Sequence, residues 1–291
     1  MTRRPNLFIV GAPKAGTTSL HEYLRGHPDV FMSALKEPQY FAPDVYQSAR
    51  SKFRYGRDEE RYLNLFEGAH EQKRVGESST HYMSSPMAPK LIVEFEPKAR
   101  IVCILRNPVE MVYAWHAERV HKGIEDVANF ERAFADPAKR NDYIQVACYG
   151  TQLKRWFDRF GQDLTHVIVF DDFVADTSLE FAKVLRFLDV EDGYRPEAFD
   201  VHNAHSSKSR LAPLLRTAPL RSAGRVVKSI VGQDAAARVS RGLRQARLFQ
   251  FGTTRAPLSA ATRRELEDVF REEVRLAGSL IGRDLESSWF G

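Results

Sequence analysis

The stretch Leu7-Phe8-Ile9-Val10-Gly11-Ala12-Pro13-Lys14-Ala15-Gly16-Thr17-Thr18-Ser19 decides how this chain folds. Leu7 to Val10 is an apolar run of β-forming residues, and a Gly-, Pro- and Lys-containing turn follows it. Beyond the turn, Leu20, Tyr23 and Leu24 recur at helical spacing. A strand, a glycine-rich turn and a helix start collect backbone N–H groups and the positive end of a helix dipole around an anion. Lys14 adds a full charge, and Thr17, Thr18 and Ser19 add hydroxyl donors. The segment reads as a phosphate cradle.

Gly11 and Gly16 have the separation of a Walker A loop, but that motif needs Lys and then Ser or Thr directly after the second glycine. Here Thr17 and Thr18 follow, and the lysine stands earlier, at Lys14. The hydroxyl that would hold magnesium after a lysine is missing. The next clear apolar strand, Ile101 to Leu105, ends in Arg106 and not in a metal-binding Asp. These departures move the expected ligand away from Mg-ATP.

The chain resembles the sulfotransferase family that uses 3′-phosphoadenosine 5′-phosphosulfate (PAPS), with motifs nearest the heparan and carbohydrate branch. Pro13-Lys14-Ala15-Gly16-Thr17-Thr18 is similar to the family's 5′-phosphosulfate loop, and Ile101 through Arg106-Asn107-Pro108 to its 3′-phosphate motif. Lys36-Glu37-Pro38-Gln39-Tyr40-Phe41 resembles the acceptor-side segment of the heparan branch. Gly76 to Tyr82, Tyr149 to Trp156, Val167 to Phe173 and Gly282-Arg283-Asp284-Leu285 are supporting matches.

The resemblance implies an α/β, P-loop-like three-layer fold, and roles for particular residues. Lys14 would stabilise charge on the leaving phosphate, while Ala15, Gly16, Thr17, Thr18 and Ser19 hold the 5′-phosphate. Arg106 would meet the 3′-phosphate, with Tyr149 bordering the nucleotide. The family's serine two turns after that arginine is Ala114 here, so Lys208 and Arg210 are candidates to replace its hydrogen bond. Glu37 would take the acceptor's proton, and Glu77 is the second candidate, placed after a short strand where an open α/β sheet points residues toward its ligand crevice. The lysine that often follows that glutamate in the family is Ser78. His81 and His116 are further possible bases, and Phe41, Tyr82 and Trp115 either line an acceptor pocket or pack the core.

Length and composition fit that picture. At 291 residues, with 43% hydrophobic residues, the chain suits one domain with a sizeable core. Strands and helices alternate through the first two thirds, as in a parallel sheet covered by helices. Expected helices include Val109–Lys122, one long helix over 142–160, Leu179–Leu188 and Arg263–Leu280. Cys103 and Cys148 are the only cysteines, which suggests neither a disulfide framework nor a zinc site. The start lacks the apolar core of a signal peptide, so the expected location is the cytoplasm.

The net charge of +5 is unevenly placed: from Ser206 to Arg247 ten cations face Asp234 alone. A basic, mainly helical insert is expected there. It is either a solvated face or a surface for anionic nucleotide, acceptor or peripheral membrane contact. It lacks the interleaved aromatics of a nucleic-acid site, and no nucleic-acid partner is expected.

The expected activity is transfer of a sulfuryl group from PAPS, leaving 3′-phosphoadenosine 5′-phosphate (PAP), with no metal. The acceptor is a hydroxyl, less readily an amine, of a small molecule, glycolipid or carbohydrate. The alternatives are a P-loop kinase or NTPase and a non-catalytic nucleotide-binding module. The sequence leaves the oligomeric state open.

Overall fold

The computed structural model describes residues 3–45, 58–196, 199 and 257–291. Five strands form one sheet: β1 (Leu7–Gly11), β2 (Val30–Met32), β3 (Arg74–Ser78), β4 (Arg100–Leu105) and β5 (Thr165–Val169). Their order is β2-β3-β1-β4-β5, and every pairing is parallel. β1 is central and fully buried, consistent with its unbroken apolar run. After β1 the chain builds β2 and β3 on one side, then crosses to β4 and β5 on the other. The reversal lies at the carboxyl end of β1, where open α/β sheets bind ligands.

Helices cover the sheet: α1 (Thr17–Arg25), α2 (Glu59–Leu63), α3 (Ala88–Phe95), α4 (Pro108–His121), α5 (Phe130–Ala135), α6 (Pro137–Gln145), α7 (Tyr149–Phe160), α8 (Phe170–Ala175), α9 (Thr177–Leu188), α10 (Ala260–Ile281) and α11 (Leu285–Phe290). The fold is α/β with a central all-parallel sheet, as expected. α10 lies against α7 and comes closest at Gly150, where a Cβ would fall 2.6 Å from the Leu276 Cβ and 2.7 Å from the Glu273 carbonyl oxygen. Only glycine allows that approach.

The expected helix over 142–160 is two helices. α6 starts at Pro137, with Asp136 accepting from the Ala138 N–H, and ends at Gln145. α7 restarts at Tyr149 after Cys148, whose ψ of 66° is not helical. The side chain of Gln152 reaches back across the break and donates to the Gln145 carbonyl at 2.7 Å. The break carries no proline or glycine, and the apolar positions on both sides continue one pattern, so the sequence gives it no punctuation. α8 and α11, each of six residues, are also additions to the expected elements. No helix among the described residues is long and apolar enough to cross a membrane. The basic segment at 206–247 lies outside the described residues.

Candidate active site

The turn after β1 delivers Lys14 in the left-handed region (φ 55°) and then Gly16 (φ 88°), which serves as N-cap of α1. No side-chain hydrogen bond caps that helix, and a helix start is where an anion meets backbone N–H donors and the positive end of the dipole. Ala15, Thr17 and Ser19 are buried beneath the loop, while Lys14, Gly16 and Thr18 keep partial exposure. The Gly16 backbone lies over the Phe170 ring, with an added Cβ only 3.4 Å from Phe170 Cε2. The cradle therefore has the backbone arrangement its sequence promised.

Arg106 leaves the end of β4 beside this loop. Its guanidinium donates to the Lys14 carbonyl at 2.8 Å and stands 4.9 Å from the centre of the Phe170 ring. The arginine expected at the donor's 3′-phosphate thus also braces the turn that carries Lys14. Asn107 follows and caps α4, accepting from the Val109 and Glu110 N–H groups, with Pro108 at the first helical position. The Asn107 amide also donates to the Trp289 carbonyl at 3.0 Å, and the Trp289 indole N–H donates to Asp171 at 2.9 Å. The short helix α11 is thereby pinned beside the Arg106 motif.

On the other side, the chain after β2 runs beside the end of β3: the Glu37 N–H donates to the Ser78 carbonyl at 2.8 Å. Glu37 also adopts φ 60°, an uncommon conformation for a residue with a side chain. Its carboxylate accepts from the Thr80 N–H at 2.9 Å, from the Thr80 hydroxyl at 3.2 Å and from the Gln39 amide. Burial raises the Glu37 pKa, while Lys36 and the Thr80 hydrogen bonds pull it down. Lys36 points back to the cradle, its Nζ donating to Thr18 Oγ1 at 2.7 Å. Lys14 meets Glu118 of α4 at 3.5 Å, and Glu118 also pairs with Lys122 at 2.9 Å. The turn after β1, the proton-acceptor candidate and two lysines are therefore brought together at one end of the sheet.

Glu77 is a correction. It was expected to face the crevice, but it is fully buried. Its Oε1 accepts from the Tyr82 hydroxyl at 2.7 Å and the Tyr62 hydroxyl at 3.1 Å, and its Oε2 accepts from the Ser79 hydroxyl at 2.7 Å. Two of these donors are relays. The Ser79 oxygen accepts from the Gln39 N–H at 3.1 Å, and the Tyr82 oxygen from the Phe41 N–H at 3.2 Å. Glu77 thus anchors the backbone on which Glu37 sits, from below. Burial pushes its pKa up to about 7, against the pull of its three hydroxyl partners.

Other candidates also move inward. Tyr149 is fully buried behind Arg106, its ring 6.5 Å from that of Trp289, so it backs the site and presents no surface to a nucleotide. Phe41 and Tyr82 belong to the core, in an aromatic cluster with Phe8, Tyr62 and Phe95. Trp115 is buried in the core as well, 5.9 Å from the His81 ring and under the Arg119 guanidinium at 4.6 Å. Burial lowers the His81 pKa to about 4, so its ring is neutral at ordinary pH. His116 is buried, with its Nε2 on the Val127 carbonyl at 2.9 Å. Ala114 is buried too. Burial drives the Cys103 thiol up to about 12 and leaves it inert. Lys208 and Arg210 lie outside the described residues. Among the described residues no group of three or more His, Cys, Asp or Glu is arranged to hold a metal ion.

The sequence reading missed the contacts that Lys36, Thr80 and Glu118 make with Thr18, Glu37 and Lys14. Lys36 was visible only as the neighbour of Glu37. Thr80 and Glu118 meet their partners through contacts of 43 and 104 residues' separation, which no local pattern reports.

The chain is an α/β protein with an all-parallel sheet and a helix start, preceded by Lys14, at the carboxyl end of its central strand. Residues 5–194 match the profile of the sulfotransferase family, and the chain belongs to that family. Carbohydrate sulfotransferase 15 of Homo sapiens is 26% identical, the match covering 64% of this chain and 44% of that protein. The bifunctional heparan sulfate N-deacetylase/N-sulfotransferase 1 of Mus musculus is 28% identical, over 68% of this chain and 24% of that protein. The chain thus spans less than half the length of these relatives. Among solved structures, a sulfotransferase from Alicyclobacillus acidocaldarius superposes with a TM-score of 0.73 at 26% identity, covering 99% of both chains. Mouse sulfotransferase SULT7A1, solved with PAP, shares the fold at a TM-score of 0.50 and 16% identity, covering 94% of this chain and 85% of that one.

Proposed function

We propose that this chain transfers a sulfuryl group from PAPS to a hydroxyl of a carbohydrate, glycolipid or small-molecule acceptor, with an amine as the less favoured nucleophile. The observation that carries the reading is the juxtaposition of the uncapped start of α1, with Lys14 beside it, and the Glu37 carboxylate held by Thr80. The donor assignment is supported by the family and by the PAP carried by the mouse structure of the same fold. A carbohydrate acceptor is supported by what the relatives' names say of them.

The chemistry follows from where charge moves. The acceptor O–H gives its proton to Glu37, whose raised pKa suits it to take and hold that proton. The acceptor oxygen forms a bond to sulfur as the bond from sulfur to the 5′-phosphate oxygen breaks. The electron pair of that bond stays on the phosphate, and PAP leaves with the added charge. The first-turn amides of α1 and the Lys14 ammonium are set where that charge grows, without reorganising. Arg106 holds the Lys14 turn and meets the 3′-phosphate, which separates this donor from an ordinary nucleotide.

Calorimetric titration with PAP and with Mg-ATP tests the donor. Tight PAP binding and weak Mg-ATP binding are expected. The reverse preference would replace the reading with a kinase or NTPase. Release of PAP from PAPS, faster when an acceptor is added, then separates an enzyme from a binding module.

A further inference from the structure

The Lys36 ammonium is held in an unusual balance. It is mostly withdrawn from water, and its one hydrogen bond among the described residues goes to the neutral Thr18 hydroxyl at 2.7 Å. An ammonium has three N–H donors, so two are unspent. No carboxylate among the described residues comes within ion-pair distance of it. The Glu37 carboxylate next in sequence is committed to Thr80 and Gln39. Residues 46–57, which follow the same segment, contain no acidic residue. Lys14, by contrast, already has Glu118 at 3.5 Å. A cation drawn in from water without an anion is costly, and proteins keep one where an anion will arrive.

We propose that Lys36 is a second catalytic cation of the transfer site, with its free N–H groups on the non-bridging oxygens of the sulfuryl group as it passes from donor to acceptor. This rests on the sulfuryl-transfer reading above. Lys36 bonds to a hydroxyl of the donor cradle and is joined by one peptide bond to the proton-acceptor candidate, so it stands between the two substrates. Lys14 and the α1 amides then serve the departing phosphate, while Lys36 follows the moving group. Lys36 gives up no proton: the O–S bond forms to the acceptor, the S–O bond to the phosphate breaks, and the proton goes to Glu37. Burial, with Lys14 adding to it, holds its pKa below the ordinary lysine value, and Glu37, Glu22 and Glu118 oppose from beyond ion-pair distance.

The division of labour is testable, because PAP has the 5′-phosphate and lacks the sulfuryl group. In Lys36→Met, PAP affinity should stay within about threefold of wild type, while PAP release from PAPS falls by about a hundredfold, the scale of losing one preorganised contact. Lys36→Arg should restore about tenfold of that loss, because it keeps the charge and changes the geometry. Lys36→Gln, which keeps a donor for Thr18, should fold if Met does not, and should be as slow. Wild-type turnover in either neutral variant overturns the proposal. So does a loss of PAP affinity matching the loss of turnover, which would place Lys36 on the 5′-phosphate. A wild-type protein that binds PAP no better than AMP would instead refute the donor reading, and Lys36's role with it.

Discussion

Replacing Glu77 with Gln should change how stability depends on pH, in a direction fixed by the burial of this carboxyl. Its pKa in the folded protein is about 7, against an ordinary 4.5. Between those values the folded state holds a proton that the unfolded chain has lost. Stability from this group is therefore full below pH 4.5 and drains away as pH rises through 7. A shift of that size is worth between about 2 and 3 kcal/mol between pH 5 and pH 8. Gln has nearly the shape of the protonated acid and does not titrate. At pH 5 the variant should lie within about 1 kcal/mol of wild type, the scale of one adjusted hydrogen bond at Ser79. At pH 8 it should have gained on wild type by the larger amount. Urea melts of both proteins at the two pH values supply the test, and the difference between proteins cancels every other titrating group. A difference that does not change with pH would mean that the three hydroxyls outweigh burial and that Glu77 is an ordinary anion.

Four further outcomes are expected. Lys14→Ala should lower kcat by about a hundredfold or more while the protein stays folded; near wild-type turnover would remove Lys14 from the chemistry. Arg106→Ala should weaken PAP binding by about 1.5–3 kcal/mol, typical of a charged hydrogen bond. Because Arg106 also braces the Lys14 carbonyl, it should slow turnover of adenosine 5′-phosphosulfate, which has no 3′-phosphate; unchanged turnover of that donor would mean the brace is idle. Glu37→Gln should abolish turnover with PAP affinity kept, and Glu77→Gln should have the smaller kinetic effect; the opposite ranking would make Glu77 the base. Gly150→Ala should destabilise by about 1–3 kcal/mol, read from a thermal melt, by forcing α7 and α10 apart; an unchanged melt would show that the contact yields easily.

What the sequence made legible was local. The strand, turn and helix of residues 7–25 are contiguous, and so are the strand, arginine and capped helix of 100–121, so the elements could be placed from the local pattern, while the 3′-phosphate role expected of Arg106 came from the resemblance. The interruption at 146–148 was hidden because the apolar stripe through Tyr143, Leu153 and Trp156 runs on across it. α11 spans six residues, too few for a periodicity to declare itself. Glu77 was misjudged because the end of a strand names a location and not a direction. Tyr62 and Tyr82, whose hydroxyls claim it, come from elements on either side of β3 in the chain. Lys36 and Thr18 lie eighteen residues apart, and only the folded sheet brings them together.

Lys36 and Glu37 are consecutive, and their backbone is fastened to Ser78, with Gln39 and Phe41 tied just beyond it. One face of this short span looks to the donor cradle and the other to Thr80. The span therefore has little latitude for redesign: an insertion or a swapped loop between Ser33 and Phe41 would disturb donor handling as much as acceptor handling.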